Sequence, residues 1–220
     1  MKHAFKLLLL LPLLLPVACS PTGSVGAYQA YDRPATLPTN PDNVRVKVSL
    51  SKQRVYVKEG DKMLMAMPVS VGKPSSPTPK GNFRISAKVP KYRANTHGYM
   101  TDGKTMRSDY LRNRPAGWHF KGTPMPYWCE FKTAYGFHTG WVKHTPCTHG
   151  CIRMHENLAP KFYRLVKIGT PVSIAHSQPE DAKHASMPLP PDAGPLPDYG
   201  SSMYWGEGYF SRHKTPKYTN

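Results

Sequence analysis

One short stretch of this 220-residue sequence holds residue types that can carry out nucleophilic chemistry. Cys151 directly follows His149 and Gly150, and His138 lies thirteen positions upstream of the cysteine. A cysteine thiol becomes a strong nucleophile when its pKa falls or when a base such as histidine removes its proton. Gly150 permits a tight turn that aims backbone N–H groups at a substrate carbonyl. The stretch therefore favours a cysteine nucleophile over a buried structural cysteine.

The same residues resemble the signature of the L,D-transpeptidase catalytic domain of bacterial cell-wall enzymes. That signature is a histidine, a spacer, Ser/Thr-His-Gly-Cys, an aliphatic residue and Arg or Asn. This chain has His138 followed by Thr148-His149-Gly150-Cys151-Ile152-Arg153. The similarity extends to Thr78-Pro79-Lys80-Gly81, which resembles the turn before a family strand, and to residues 166–172, which match the way the family domain closes.

The resemblance implies a role for each catalytic position. Cys151 is the expected nucleophile and His138 the expected base, with the backbone carbonyl of Thr139 orienting the imidazole. Backbone N–H groups at Gly150 and Cys151 are expected to stabilise the oxyanion of a tetrahedral intermediate. No cofactor and no metal ion are expected to take part.

Four further residues are expected to support the site or line it. The family pattern implies that His149 and Arg153 support the loop, and that Arg153 can instead hold a substrate carboxylate. Tyr127 and Trp128 lie in a segment that some members place beside the substrate groove. Because neighbouring strand residues point to opposite faces, one of these two aromatic residues should face the core.

The reaction that the resemblance implies uses peptidoglycan stem peptides as substrate. Such enzymes attack a diamino acid carbonyl in a tetrapeptide stem, release the terminal D-alanine and form a thioester. An amine then resolves the thioester by crosslinking, D-amino-acid exchange or protein attachment. Water as acceptor would make the enzyme an L,D-carboxypeptidase, and the sequence does not decide the acceptor. A catalytically silent cell-wall-binding lipoprotein is the alternative outside enzymes.

The N-terminal residues predict export. Residues 1–6 are short and basic, and residues 7–17 form an apolar run that is too short to span a bilayer and is interrupted by prolines. Leu15-Pro16-Val17-Ala18-Cys19 resembles a bacterial lipobox, although Pro16 stands where Leu is usual. We expect a signal peptide over residues 1–18, lipidation of Cys19, and a lipid-anchored location in the cell envelope or periplasm. Ordinary signal cleavage is the alternative.

The positive net charge of the chain is consistent with this predicted location. The net charge is +17 at pH 7 with neutral histidines, but the basic residues are scattered and form no Arg-rich helix. We therefore expect no nucleic-acid partner, and expect attraction to anionic wall polymers, carboxylate-bearing peptidoglycan and lipid head groups instead.

Zinc binding and disulfide formation are alternative chemistries for the central stretch. Histidines and cysteines are dense between positions 138 and 155, but their irregular order disfavours a structural zinc site. Exported chains can form disulfides, so Cys129 can pair with Cys147. A bridge between Cys147 and Cys151 would block the expected nucleophile.

The pattern along the chain predicts three regions after the signal peptide. Residues 19–43 are poor in aliphatic side chains and predict a flexible tether. Residues 44–175 predict the catalytic domain, which we expect to be mainly β, a β-sandwich or barrel-like fold with one or two short helices. Residues 176–220 predict a Pro-rich, disordered tail with an aromatic C-terminus.

Within the domain, periodicity predicts individual elements. Apolar residues alternate with polar ones over residues 44–50, which predicts a strand, and further strands are expected over 63–71, 82–89, 125–131 and 171–174. Residues 155–166 predict an amphipathic helix. Residues 91–126 lack a clear period and predict a long irregular loop that lines the cleft.

Overall fold

The structure, a computed structural model, describes residues 25–192 and 199–219. The predicted signal peptide and Cys19 lie outside the described residues. None of the helices in the described part of the chain has the length and hydrophobicity needed to cross a membrane.

A large mixed sheet dominates the described residues, as the mainly β prediction requires. Its order is β4-β10-β1-β2-β3-β9-β8-β7-β5-β6. The strands are β1 (Val44–Ser49), β2 (Arg54–Glu59), β3 (Lys62–Ser70), β4 (Gly81–Arg84), β5 (Ala87–Thr101), β6 (Met106–Tyr110), β7 (His119–Lys132), β8 (Tyr135–Thr139), β9 (Ile152–Met154) and β10 (Pro171–Ala175). β3 joins the two halves of the sheet, because most of it pairs with β2 while Val69 and Ser70 pair with β9.

The helices in the described residues are short. They are α1 (Val25–Ala30), α2 (Ala159–Leu165), α3 (Asp181–His184) and α4 (Ser201–Trp205). The helix predicted over residues 155–166 begins later than expected, since the His155 side chain accepts the Asn157 N–H in a local turn at 3.1 Å. Such local side-chain bonds compete with a helix, and Pro160 is then accommodated in the first helical turn.

The core fixes the strand that carries His138. Phe137 on β8 is fully buried, and its ring lies 4.7 Å from the ring of Phe162 on α2. The residues that follow and precede Phe137 point to the opposite face of the strand. Packing of α2 against one face of β8 therefore directs His138 to the other.

The region predicted to be an irregular loop is instead mostly β-structure. β5, β6 and β7 form a long antiparallel unit, with β5 paired to both neighbours from Gly98 to Thr101. The prediction failed because side chains on both faces are largely exposed or half-buried here, so no alternation of apolar and polar residues marks the strands.

The described part of the predicted tether, residues 25–43, packs on the domain and corrects that prediction. Tyr28 is 1% exposed, and Asn157 Nδ2 donates to the carbonyls of Gln29 and Tyr31 at 2.8 Å each. The buried Lys161 ammonium contacts the Asp32 carboxylate at 2.8 Å. These partners lie far along the chain, so the local shortage of aliphatic residues did not predict them.

The tail is likewise ordered over residues 176–192 and 199–219, contrary to the prediction. Arg93 donates to the carbonyls of Tyr204 and Gly206, and the Thr219 N–H donates to the Ala35 carbonyl at 2.7 Å. Its aromatic residues supply buried surface, namely Tyr204, Tyr209 and Phe210. The prolines of this segment reduce regular structure, but they do not prevent packing.

We predict that Phe162→Ala lowers the free energy of unfolding by about 3–5 kcal/mol, because it opens a cavity against β8. Chemical denaturation measures the loss. Ile168→Ala is the matched control, since Ile168 is 63% exposed, and its effect should stay within about 0.5 kcal/mol. Equal effects of the two substitutions would contradict the packing of α2 on β8.

Candidate active site

The parallel pairing of β8 with β9 brings the central residues together. Phe137 faces Ile152, and His138 faces Arg153. Phe137 and Ile152 are fully buried, so His138 and Arg153 point to the other face of the sheet. Cys151 immediately precedes β9, two residues before Arg153. The Arg153 charge acts to lower the pKa of both His138 and Cys151, so both side chains lie near this guanidinium.

His138 has a defined tautomer. Its Nδ1 lies 2.8 Å from the Thr139 carbonyl oxygen, as expected from the sequence. A carbonyl can only accept, so Nδ1 carries the hydrogen and Nε2 keeps a free lone pair. Burial, with a smaller contribution from the Arg153 charge, lowers the pKa of His138 to about 3, although the Thr139 bond opposes the shift. The imidazole is therefore neutral near pH 7.

The Cys151 thiol lies against the turn between β7 and β8. It donates to the Ala134 carbonyl across 3.7 Å and accepts the N–H of Gly136. Burial raises the pKa of Cys151, while the Gly136 bond and the Arg153 charge act in the opposite direction. Among the residues that the structure describes, no hydrogen bond joins this thiol to His138. The resting pair is thus a neutral thiol and a neutral imidazole.

The backbone of the cysteine loop is fixed by two threonines. Thr148 Oγ1 donates to the Cys151 carbonyl at 2.6 Å and accepts the Gly150 N–H at 3.1 Å. Thr78 Oγ1 donates to the Gly150 carbonyl at 2.9 Å, so the Thr-Pro-Lys-Gly turn contributes directly to the site. The Gly150 N–H is therefore occupied, which corrects its predicted place in the oxyanion hole. The Cys151 N–H has no acceptor within the described residues.

Gly150 has a different function, which is conformational. Its φ of +108° lies in the region that favours glycine, and a Cβ there would lie 2.5 Å from Cε1 of Tyr135. The glycine thus permits the loop to pass close to the Tyr135 ring.

Arg153 supports the loop that follows His138. Its Nη1 donates to the Trp141 carbonyl at 3.2 Å and contacts Cys147 Sγ at 3.8 Å. The arginine side chain crosses Gly140 so closely that a Cβ there would lie 2.4 Å from Arg153 Cγ and Cδ. No local pattern in the sequence marks this contact, because it joins β9 to the loop that follows β8.

The two aromatic residues of β7 point in different directions. The Trp128 ring lies 6.2 Å from the His138 ring, stacks on Tyr92 and covers Gly136. Tyr127 instead packs against Tyr163 of α2 and contacts His213 Nε2 at 3.0 Å. Tyr127 therefore lies on the face away from His138, and its predicted place in the substrate groove is corrected. The Trp128 ring therefore flanks the His138 imidazole.

His149 is exposed and lies beneath the β5–β6 hairpin. Its ring is 6.1 Å from that of His97 and 6.4 Å from that of Tyr110. Burial, with a contribution from the Lys73 charge, lowers the pKa of His149. His97, in the region that the sequence predicts to be an irregular loop, is half-buried on β5 beside His149, and burial lowers its pKa. The hairpin thus covers one side of the cysteine loop.

The cysteines that the structure describes form no disulfide, since Cys129, Cys147 and Cys151 are free thiols. Cys129 lies in the core, where burial raises its pKa to about 12. Among the described residues, no group of three or more His, Cys, Asp or Glu side chains is arranged to hold a metal ion.

A family model described as YkuD, the L,D-transpeptidase catalytic domain, matches residues 43–174. The chain belongs to the L,D-transpeptidase catalytic domain family. The match ends close to the predicted domain limits of 44–175 and includes every residue discussed above except those of the terminal segments.

Solved structures similar to this chain are also L,D-transpeptidases. The alignment with one from Mycobacterium smegmatis has 20% sequence identity and a TM-score of 0.47. It covers 60% of this chain and 58% of that protein's chain. One from Stackebrandtia nassauensis has 20% identity, coverages of 70% and 66%, and a TM-score of 0.46. LdtMt1, solved with imipenem, has 22% identity, coverages of 60% and 59%, and a TM-score of 0.47. The chain thus spans about three fifths to two thirds of these relatives. No protein of curated function matches it.

We predict that the protein loses stability as the pH falls below about 6.5, the ordinary pKa of histidine. Burial holds the pKa of His138 at about 3 and that of His155 at about 4. The unfolded chain therefore binds protons that the folded chain excludes as the pH falls through this window. Each such histidine lowers the free energy of unfolding by up to about 1.4 kcal/mol per pH unit as the pH falls through this window. Its contribution to stability is fully present above the window.

Urea denaturation at several pH values between 4 and 7 tests this expectation. His138→Gln should flatten the dependence, whereas the exposed His176→Gln should leave it as in the wild type. An unchanged slope in His138→Gln would contradict a neutral, buried imidazole.

Proposed function

We propose that this protein is an exported L,D-transpeptidase that acts on peptidoglycan stem peptides through a Cys151 thioester. The observation that carries the proposal is that the parallel pairing of β8 with β9 brings His138, with its tautomer fixed, opposite Arg153 and next to the loop that ends in Cys151. The Arg153 charge acts on the pKa of both His138 and Cys151, and the Cys151 N–H has no acceptor among the described residues. The family assignment supports a cell-wall transpeptidase, and these contacts support the roles proposed below.

In the first half-reaction, the Cys151 side chain turns from Ala134 O toward His138 Nε2. Catalytic hydrogen bonds are often formed only once substrate is bound, so the resting contact with Ala134 is compatible with this step. Nε2 takes the thiol proton as sulfur attacks the diamino acid carbonyl. The Cys151 N–H then binds the oxyanion.

Collapse of the tetrahedral intermediate breaks the peptide bond to the terminal D-alanine. The imidazolium returns its proton to the leaving amine, and a thioester to Cys151 remains. An incoming amine gives its proton to His138, attacks the thioester and is acylated, which restores the thiol. The low pKa of His138 favours return of the proton in both steps, because the buried cation is unstable.

The charge around the site suits an anionic peptide. Arg153 and Lys73 both act on His149, whose pKa they lower, so two cations flank the cysteine loop. Stem peptides carry carboxylates, which this positive potential attracts. Arg153 already donates to the Trp141 carbonyl, so we propose that it supports the loop as well as attracting substrate.

The acceptor distinguishes this function from its nearest alternative. An amine acceptor gives a crosslink, an exchanged D-amino acid or a protein attached to the wall, whereas water gives an L,D-carboxypeptidase. A silent wall-binding lipoprotein would need neither a neutral base of fixed tautomer nor a glycine at position 150 to shape the cysteine loop, and the chain has both.

We predict that purified protein converts disaccharide-tetrapeptides to new products and that Cys151→Ala abolishes the conversion. Mass spectrometry distinguishes crosslinked dimers, D-amino-acid adducts and tripeptides. Cys147→Ser is the matched control, because this nearby thiol is not used in the proposed steps. Identical products from wild type and Cys151→Ala would overturn the proposal. A carbapenem adduct on Cys151 without turnover of muropeptides would indicate a reactive thiol with another substrate.

We predict further that Cys19 anchors the protein to a membrane. Full-length protein expressed in a bacterial host should fractionate with membranes and incorporate labelled palmitate. Cys19→Ala should lose the label, whereas Cys147→Ser should keep it. Secretion of unlabelled wild-type protein would favour ordinary signal cleavage.

A further inference from the structure

Tyr28 lies outside the segment that matches the family, yet it contacts the active-site loop. Its phenol oxygen accepts the Val142 N–H at 3.0 Å and donates to the Gly140 carbonyl at 3.3 Å. Its ring stacks on Trp141, with centroids 3.5 Å apart and planes 9° from parallel. Tyr28 is 1% exposed, so these contacts are shielded from water.

The loop that Tyr28 contacts holds the functional side chains through alternate carbonyls. The Thr139 carbonyl accepts His138 Nδ1–H, and the Trp141 carbonyl accepts Arg153. Tyr28 binds the Gly140 carbonyl, which lies between these two carbonyls, and the Val142 N–H, which belongs to the same peptide group as the Trp141 carbonyl. Removal of its hydroxyl would leave a buried donor and a buried acceptor without a partner, which favours a rearranged loop.

Tyr28 is itself fixed by polar residues that follow β9. His155 Nε2 lies 2.9 Å from the Tyr28 carbonyl, and His155 Nδ1 accepts the Asn157 N–H, so Nε2 carries the hydrogen and donates. Asn157 donates to the carbonyls of Gln29 and Tyr31, which both follow Tyr28 in the chain. The segment is thus held at the carbonyls of Tyr28, Gln29 and Tyr31 by groups that the proposed mechanism does not use.

We propose that Tyr28 is a positioning residue for acyl transfer, which fixes residues 140–142 so that the carbonyls of Thr139 and Trp141 hold His138 and Arg153 in place. The inference rests on the proposed function for its kinetic consequence. Its structural consequence, the fixed tautomer of His138, is independent of the substrate. The working catalytic unit therefore begins before the family domain does.

The test compares Tyr28→Phe with wild type in the full-length protein. Tyr28→Phe keeps the stacked ring and removes only the hydroxyl. We expect kcat for muropeptide turnover to fall by about ten- to a hundredfold, with KM changed by less than about threefold, because substrate binding does not involve this residue. We expect ¹⁵N NMR at pH 7 to report loss of the pure Nδ1–H tautomer of His138.

Tyr31→Phe is the matched control. Tyr31 lies on the same segment, but its hydroxyl donates to the Pro188 carbonyl at 2.7 Å, away from residues 139–142. It should keep the wild-type kcat and the wild-type His138 tautomer. Thermal melts of both variants show the temperature range in which each is folded, and all measurements are made within that range.

Each outcome decides the inference. A changed tautomer in Tyr28→Phe alone supports it, and an unchanged tautomer, or an equal change in Tyr31→Phe, overturns it. Should Tyr28→Phe not fold, Asn157→Ala replaces it, since it frees the carbonyls of Gln29 and Tyr31, which hold the Tyr28 segment, and should cause the same tautomer change. Should wild type not turn over muropeptides, the proposed function fails while the NMR comparison still decides the role of Tyr28.

Discussion

The parallel pairing of β8 with β9 is the constraint on which the site depends. It places His138 opposite Arg153 and brings Cys151, which immediately precedes β9, against Gly136 of β8. Burial of Phe137 and Ile152 sets which face His138 and Arg153 occupy, because a shift of one residue would turn them into the core. The catalytic arrangement is thus a consequence of core packing on the opposite face of the same strands.

The second constraint is the backbone that follows His138. Thr139 holds the base, Trp141 holds Arg153, and Ser70 Oγ both accepts the Lys143 N–H and donates to its carbonyl. Tyr28 binds the peptide groups at Gly140 and Val142. Residues that are distant in sequence therefore satisfy many of the backbone polar groups of this buried loop, which helps to keep an otherwise irregular segment rigid.

Burial also decides the protonation state at rest. It lowers the pKa of His138 and raises that of Cys151, so both groups are neutral near pH 7. A neutral pair avoids a buried charge at rest, and in the proposed mechanism charge develops only when substrate binds and the thiol gives up its proton. The same desolvation makes the fold sensitive to acid, because neutral histidines must be charged when the chain unfolds.

The sequence by itself determined the family and much of the fold, and it predicted the residues of the proposed chemistry. The spacing of His138, Gly150 and Cys151 indicated the proposed nucleophile and its base, and alternation predicted strands such as β1, because both are local patterns. The tertiary structure alone decided that Gly150 donates to Thr148, that Tyr127 faces away from His138, that β5–β6 forms a hairpin, and that the terminal segments pack on the domain. These outcomes rest on contacts between distant groups, such as Tyr28 and Gly140, which are 112 residues apart. Such pairs leave no period in the chain, and only folding reveals which polar group satisfies which.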